Sequence, residues 1–291
     1  MTRNALAFLL ATWVGLAMPA AALDLAPGSG STVFVDTRGN ADRPITIWYH
    51  RPQAFTADSP ILFVMHGVQR NGRDYRDAWV PHTEPRGALL VVPEFSRVAY
   101  PGAAWYNLGN TVGPDGKPNP AERWSYQALE HAFDAIRAAT GSRRAGYLLY
   151  GHSAGGQYVH RVVTFMPALR IERAVAANPG WYTLPSAESR FPHGLAGSPI
   201  GEADLARAFA RPLTLLLGEA DTDPNDPSLN RDPETMKQGA YRFVRGNNYF
   251  SQVEAAAKRL GVPFAWRKAT VPNVGHDNAL MAPAAARLLF E

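Results

Sequence analysis

The stretch "YGHSAGGQYVH", residues 150–160, closes one apolar run and opens another, and its reading decides the fold. Gly151, Ser153 and Gly155 alternate, and Gly156 follows at once. A strand that turns straight into a helix through G-x-S-x-G bends so sharply that side chains two residues either side of the serine strike neighbouring backbone. Glycine at both places removes the collisions and lifts the hydroxyl clear of the fold. A loop that is merely rich in small residues is the alternative. The rest of the chain chooses between them.

Outward from this stretch, apolar runs and periodic segments alternate. "STVFVD" and "PITIWYHRP" read as two early strands. "PILFVMHG" and "GALLVVPEF" are continuous apolar runs that suit strands covered on both faces. Residues 121–140, "AERWSYQALEHAFDAIRAAT", place Trp124, Ala128, Leu129, Ala132, Phe133, Ile136 and Ala139 on one helical face, and Gly141 ends the pattern. After it come a strand "AGYLLYG", a helix "SAGGQYVHRVVTFM", strands "RAVAANP" and "RPLTLLLG", a helix "NNYFSQVEAAAKRLG", a strand "PFAWRKATV" and a closing helix "DNALMAPAAARLLFE". This alternation predicts an α/β fold, a mostly parallel central sheet with helices on both faces. Residues 23–291 read as one domain, with insertions near 95–120, 179–211 and 222–247 where lids and substrate walls are expected.

Composition bounds the function. Of 291 residues, 46% are hydrophobic and 19% charged, which is globular composition. Net charge is +4, yet the basic residues are scattered, so nucleic acid is not the expected partner. With no cysteine, disulfides, thiolate metal sites and cysteine nucleophiles are excluded. Arg3, an apolar stretch from Ala5 to Ala17 and the small residues Ala20–Ala22 have the layout of a secretory signal over residues 1–22, cleaved after Ala22. That stretch falls short of the roughly 20 residues that span a membrane. A secreted or periplasmic protein without a stable membrane anchor is expected.

A serine raised in this way needs a base, an acid to orient the base, and donors for an oxyanion. On a strand–helix elbow they arrive in the order serine, acid, histidine. "LTLLLGEADTDP" ends a buried strand and offers Asp221; "TVPNVGHDNALM" offers His276 between the last strand and the last helix. Asp223 and Asp226 are rivals further from the strand end, and Asp277 reads as the cap of the closing helix. The backbone N–H of Ala154 and that of Val68, in the loop after "ILFVMHG", are the expected oxyanion donors, with Gln69 as an alternative to Val68. His66 and His152 read as braces for their loops. Residues 221–232 are spaced like a calcium loop, but Asp226 stands where glycine is needed and Asp232 where glutamate is. No histidine pair has zinc spacing, and neither a metal nor a cofactor is called for.

The set "MHGVQRNGRDY", "VVPEFS", "YGHSAGGQY", "LLLGEADTDP" and "VGHDNAL" resembles the α/β-hydrolase superfamily over about residues 31–291. Within it the chain is similar to secreted esterases of the polyhydroxybutyrate depolymerase and feruloyl esterase group. The resemblance implies Ser153 as nucleophile, Asp221 as acid and His276 as base. Those enzymes usually carry a cysteine in the oxyanion loop, where this chain has Val68. Trp105, Tyr106, Trp181 and Tyr182, in loops near strand ends, are expected to line an apolar cleft for the acyl or phenolic group. The expected activity is cleavage of a carboxylic ester, small or polymeric, through an acyl-enzyme. A peptidase or amidase on the same fold is the alternative, and a non-catalytic binding protein a weaker one.

Overall fold

In the computed structural model, which describes residues 23–291, the apolar runs become strands of one sheet. They are β1 Gly28–Phe34, β2 Ile45–Arg51, β3 Ile61–Met65, β4 Leu89–Glu94, β5 Tyr147–His152, β6 Ile171–Ala177, β7 Leu213–Gly218 and β8 Arg267–Val271. The helices are α1 Gly72–Thr83, α2 Gly102–Trp105, α3 Gln127–Thr140, α4 Ala154–Phe165, α5 Glu202–Phe209, α6 Pro233–Met236, α7 Arg242–Leu260 and α8 Asn278–Phe290. The expected signal sequence lies outside the described residues.

The strand order is β1-β2-β4-β3-β5-β6-β7-β8. β2 runs antiparallel to β1 and β4, and every pair from β4 onward is parallel. The two modes are legible in burial. β2 alternates buried and half-buried residues, while all five residues of β3 are buried. Helices α3, α4, α5 and α7 cover one face, where Phe63, Tyr147, Leu149, Val159 and Tyr249 share a core. Helices α1 and α8 cover the other, against Leu62, Val64, Leu90, Trp79 and Met281. This is the α/β-hydrolase arrangement that the sequence motifs imply. Among the described residues no helix is long and apolar enough to cross a membrane.

Three boundaries differ from expectation by four residues or more. The helix expected from residue 121 begins at Gln127, because residues Ala121–Arg123 form a separate 3-10 turn and Trp124 is extended, its indole donating to the Asn119 carbonyl at 2.9 Å. α7 begins before the expected "NNYF", at Arg242, whose side chain is tied into the site described below. β8 keeps only the last five residues of "PFAWRKATV". The insertions carry short helices: α2 in the first, α5 in the second, and α6 with the start of α7 in the third.

Candidate active site

Between β5 and α4 the chain turns on a single residue. Ser153 has φ 58° and ψ −119°, a conformation that residues with a Cβ rarely hold. The turn closes only because its neighbours lack side chains. A Cβ on Gly155 would lie 2.0 Å from the Met65 carbonyl oxygen, and one on Gly151 would lie 2.2 Å from the Gly155 carbonyl oxygen. The seating of α4 against the end of β3 brings Ala154 beside the loop of residues 66–70. As the first residue of α4, Ala154 has a backbone N–H with no partner inside the helix, at its positive end.

That loop is braced from below. The Phe95 N–H donates to His66 Nε2 at 3.1 Å, which leaves Nδ1 to donate to the Gly67 carbonyl at 3.0 Å. The Tyr106 hydroxyl donates to the His66 carbonyl at 2.7 Å, and its ring stacks on the imidazole. Burial pushes the His66 imidazole down to about 3, so it is a neutral brace at any working pH. His152 is also buried, with Nδ1 3.2 Å from the Tyr75 hydroxyl and its ring 4.6 Å from that of His276. Burial first, then the facing His276, holds its pKa well below the ordinary range.

The structure brings Ser153, His276 and Asp221 together. Ser153 Oγ lies 2.9 Å from His276 Nε2, and His276 Nδ1 lies 2.7 Å from Asp221 Oδ2. Asp221, 4% exposed, leaves β7 in the turn after Gly218, and its other carboxylate oxygen accepts from Arg242 at 3.3 Å. Arg242 also donates to the Asp226 carboxylate at 3.2 Å and to Ser228 Oγ at 2.8 Å. His276 is set by its own loop. Asn178, at the end of β6, donates to the Gly275 carbonyl at 3.0 Å and accepts from the Gly218 N–H at 2.7 Å. One amide thus ties the ends of β6 and β7 to the histidine loop. Asp277 accepts from the Leu280 N–H at 3.0 Å and caps α8. The acidic run diverges. Asp221 faces His276, Asp226 faces Arg242, and Asp232 caps α6. Among the described residues no cluster of three acidic or histidine side chains could hold a metal ion.

Ser153 stands where two clefts meet. One, about 350 Å³, includes Val68, Ala154, Tyr106, Gln157, Trp181, Arg70, Arg97 and Arg242 in its lining. The other, about 330 Å³, includes Val68, Tyr75, His152, His276, Asp74 and Asp277. A larger hollow of about 770 Å³ lies among Arg173, Leu213, Arg267 and Arg287, toward the starts of β6–β8 and the end of α8. It is remote from Ser153, and α/β sheets build their sites at the opposite, carboxyl ends of the strands.

Of the four aromatics expected around the substrate, two need correcting. Tyr182 is fully buried and stacked on Tyr249 at 4.3 Å between ring centroids, and it lines neither cleft. Trp105 also lines neither; its ring is covered by the Arg43 guanidinium at 3.7 Å. Tyr182 follows the usual course of a loop aromatic, which buries its large apolar area wherever a core accepts it, while Trp105, the last residue of α2, is half-buried under the Arg43 cation. Trp181 does line the first cleft, held between Arg161 and His193. Tyr106 lines it too, from beneath the loop it braces. Sequence reasoning missed Arg242, Asn178 and Arg70. Only Asn178 left a trace, as a polar residue at the end of the apolar run "RAVAANP".

No protein-family model matches the chain, and no curated protein does. Among solved structures, it is similar to poly(aspartic acid) hydrolase-1 from Sphingomonas sp. KT-1, at 42% identity and a TM-score of 0.88, over 92% of this chain and 100% of that one. It is also similar to LpqC, a poly(3-hydroxybutyrate) depolymerase from Bordetella parapertussis, at 40% identity and a TM-score of 0.87, over 91% and 90%. Siderophore hydrolase EstB from Aspergillus nidulans, at 16% identity and a TM-score of 0.57 over 91% and 95%, shares the fold.

Proposed function

This chain belongs to the α/β-hydrolase superfamily as an esterase-type hydrolase, and from that premise we propose that it cleaves carboxylic esters through an acyl-enzyme formed on Ser153. The observation that carries the reading is the pair of contacts at His276: 2.9 Å to the Ser153 hydroxyl and 2.7 Å to the Asp221 carboxylate. His276 takes the hydroxyl proton as Ser153 attacks the carbonyl carbon, and returns it to the departing alkoxide. Asp221 keeps Nδ1 protonated, so that Nε2 is the basic nitrogen. The carbonyl oxygen, negative in the tetrahedral intermediate, is held by the N–H groups of Ala154 and Val68. Water then attacks the acyl-enzyme by the same route, with His276 again the base.

A second reading is favoured by one relative. Poly(aspartic acid), the substrate that relative is named for, is joined by amide bonds, whereas poly(3-hydroxybutyrate) is a polyester. An amide makes the stricter demand, because its nitrogen leaves only when protonated by His276. Short p-nitrophenyl esters, poly(3-hydroxybutyrate) and poly(aspartic acid) therefore form the test set, with matched amides alongside. Ester turnover exceeding that of matched amides by orders of magnitude is expected; comparable kcat/KM on both moves the protein to the amidase reading. Ser153→Ala should abolish labelling by a fluorophosphonate with the circular dichroism spectrum unchanged. Stoichiometric labelling of that variant would show that another residue is the nucleophile.

A further inference from the structure

We propose that the 350 Å³ cleft is a subsite for a carboxylate carried by the acyl group of the substrate, with Arg70 and Arg97 as its cations. The inference rests on the reading of Ser153 as nucleophile and adds the charge of the group it receives.

The two clefts differ in sign. The first is lined by Arg70, Arg97 and Arg242, and no Asp or Glu is among its lining residues. The second is lined by Asp74 and Asp277 and by no Lys or Arg. His276 lines the second and not the first. Because His276 delivers the proton to the leaving group, that group departs on the side of the second cleft. The acyl chain then occupies the first, against Ala154 and Trp181.

Of its three guanidiniums, Arg242 is matched by Asp221 and Asp226, but the other two have no carboxylate partner among the described residues. Arg70 is only 8% exposed, and its donors go to the carbonyls of Phe95, Tyr100 and Gly102. Its guanidinium lies 4.1 Å from the Tyr106 ring centroid. Carbonyls and a ring orient the charge without neutralising it. Burial lowers the Arg70 pKa, Tyr106 partly offsets this and the like charge of Arg97 adds to it; an anion in the cleft favours the charged form against both lowering effects. Arg97 is exposed and donates to the Val68 carbonyl at 3.1 Å, beside the expected oxyanion donor. Arg70 also has φ 62°, a left-handed conformation that is unfavourable for a residue with a Cβ and that glycine adopts freely. A buried, strained cation without a counter-ion, facing a cleft beside the nucleophile, is the arrangement of an anion subsite.

The test compares chain-matched p-nitrophenyl esters: the monoesters of adipate and suberate against hexanoate and octanoate. A third arm is 6-aminohexanoate, which places a cation where the carboxylate would lie. The full chain should prefer adipate to hexanoate by about tenfold in kcat/KM, the scale of one charge-assisted hydrogen bond, and should disfavour the amine. That preference should shrink with added salt, which screens the exposed Arg97. Arg97→Gln should cut the adipate-to-hexanoate ratio about fivefold and Arg70→Gln should cut it further, the ratio cancelling any general loss of activity. Equal kcat/KM for adipate and hexanoate, or a ratio unmoved by both Arg97→Gln and salt, overturns the subsite. Fluorophosphonate labelling of the same preparations reports Ser153 separately. A failed subsite is read with labelling intact, and a failed nucleophile as labelling that survives Ser153→Ala.

Discussion

Replacing Ser153 by glycine should make the protein more stable than replacing it by alanine, an inversion of the usual order. At φ 58° and ψ −119° the serine holds a conformation that costs any residue with a Cβ about 1–3 kcal/mol. Alanine inherits that strain and glycine does not. Glycine has its own cost, about 0.5–1 kcal/mol relative to alanine, from the greater freedom of the unfolded chain. Both variants lose the hydrogen bond from Ser153 Oγ to His276 and keep the backbone bond from residue 153 to the Ala177 carbonyl, so those contributions cancel. The balance favours glycine by up to about 2.5 kcal/mol, about 1 kcal/mol at the middle of both ranges. Urea denaturation followed by circular dichroism measures it directly, because both variants expose the same surface and should share one m-value. A glycine variant no more stable than the alanine variant refutes the claim that the elbow stores strain.

Two further outcomes follow from the same geometry. Asp221→Asn should lower kcat by about 10³–10⁴-fold, the scale for an acid that fixes the imidazole tautomer, whereas Asp226→Asn, which reaches the site through Arg242 and Ser228 and does not touch His276, should cost far less; the larger loss at Asp226 in steady-state kinetics would reverse the assignment. His66, His152 and His160 are buried and held neutral, with pKa values lowered by burial, His66 to about 3. The unfolded chain protonates all three below about pH 6.5 and the folded chain does not, so stability should fall as pH drops from there, by up to about 4 kcal/mol per pH unit. Urea midpoints between pH 7 and pH 5 check this, and a flat profile contradicts it.

What the sequence made legible was whatever backbone geometry demands of residue type. The elbow needs glycine at 151 and 155 because main-chain atoms lie 2.0–2.2 Å from where a Cβ would be, so the pattern survives as letters. Asp221 and His276 were found by their places at strand ends. Helix starts were less legible: the spacing that put Trp124 on the apolar face of α3 is real, and Trp124 is buried, but through an extended residue whose indole serves a loop carbonyl. Arg70 and Arg242 left no trace, because their partners come from loops far away in the chain and nothing local marks a buried guanidinium. The four aromatics show the same limit. An aromatic beside a strand end buries equally well in a cleft wall or in the core, and Trp181 and Tyr182, adjacent in sequence, went one to each.

Where Gly155 meets the Met65 carbonyl, two main-chain segments rest on one another with no side chain between them. At the root of the oxyanion loop the approach to the nucleophile is therefore set by peptide dimensions, and the His66 and Tyr106 side chains brace the rest of the loop. The walls of the two clefts hang instead from long side chains, such as Arg70 on its carbonyls and Trp181 between Arg161 and His193. Reshaping the walls at residues that do not brace the triad or its loop, such as Trp181, shifts what is recognised and leaves the reaction centre in register. A molecule built this way can change its diet by drift at the rim, one substitution at a time, without passing through an inactive ancestor.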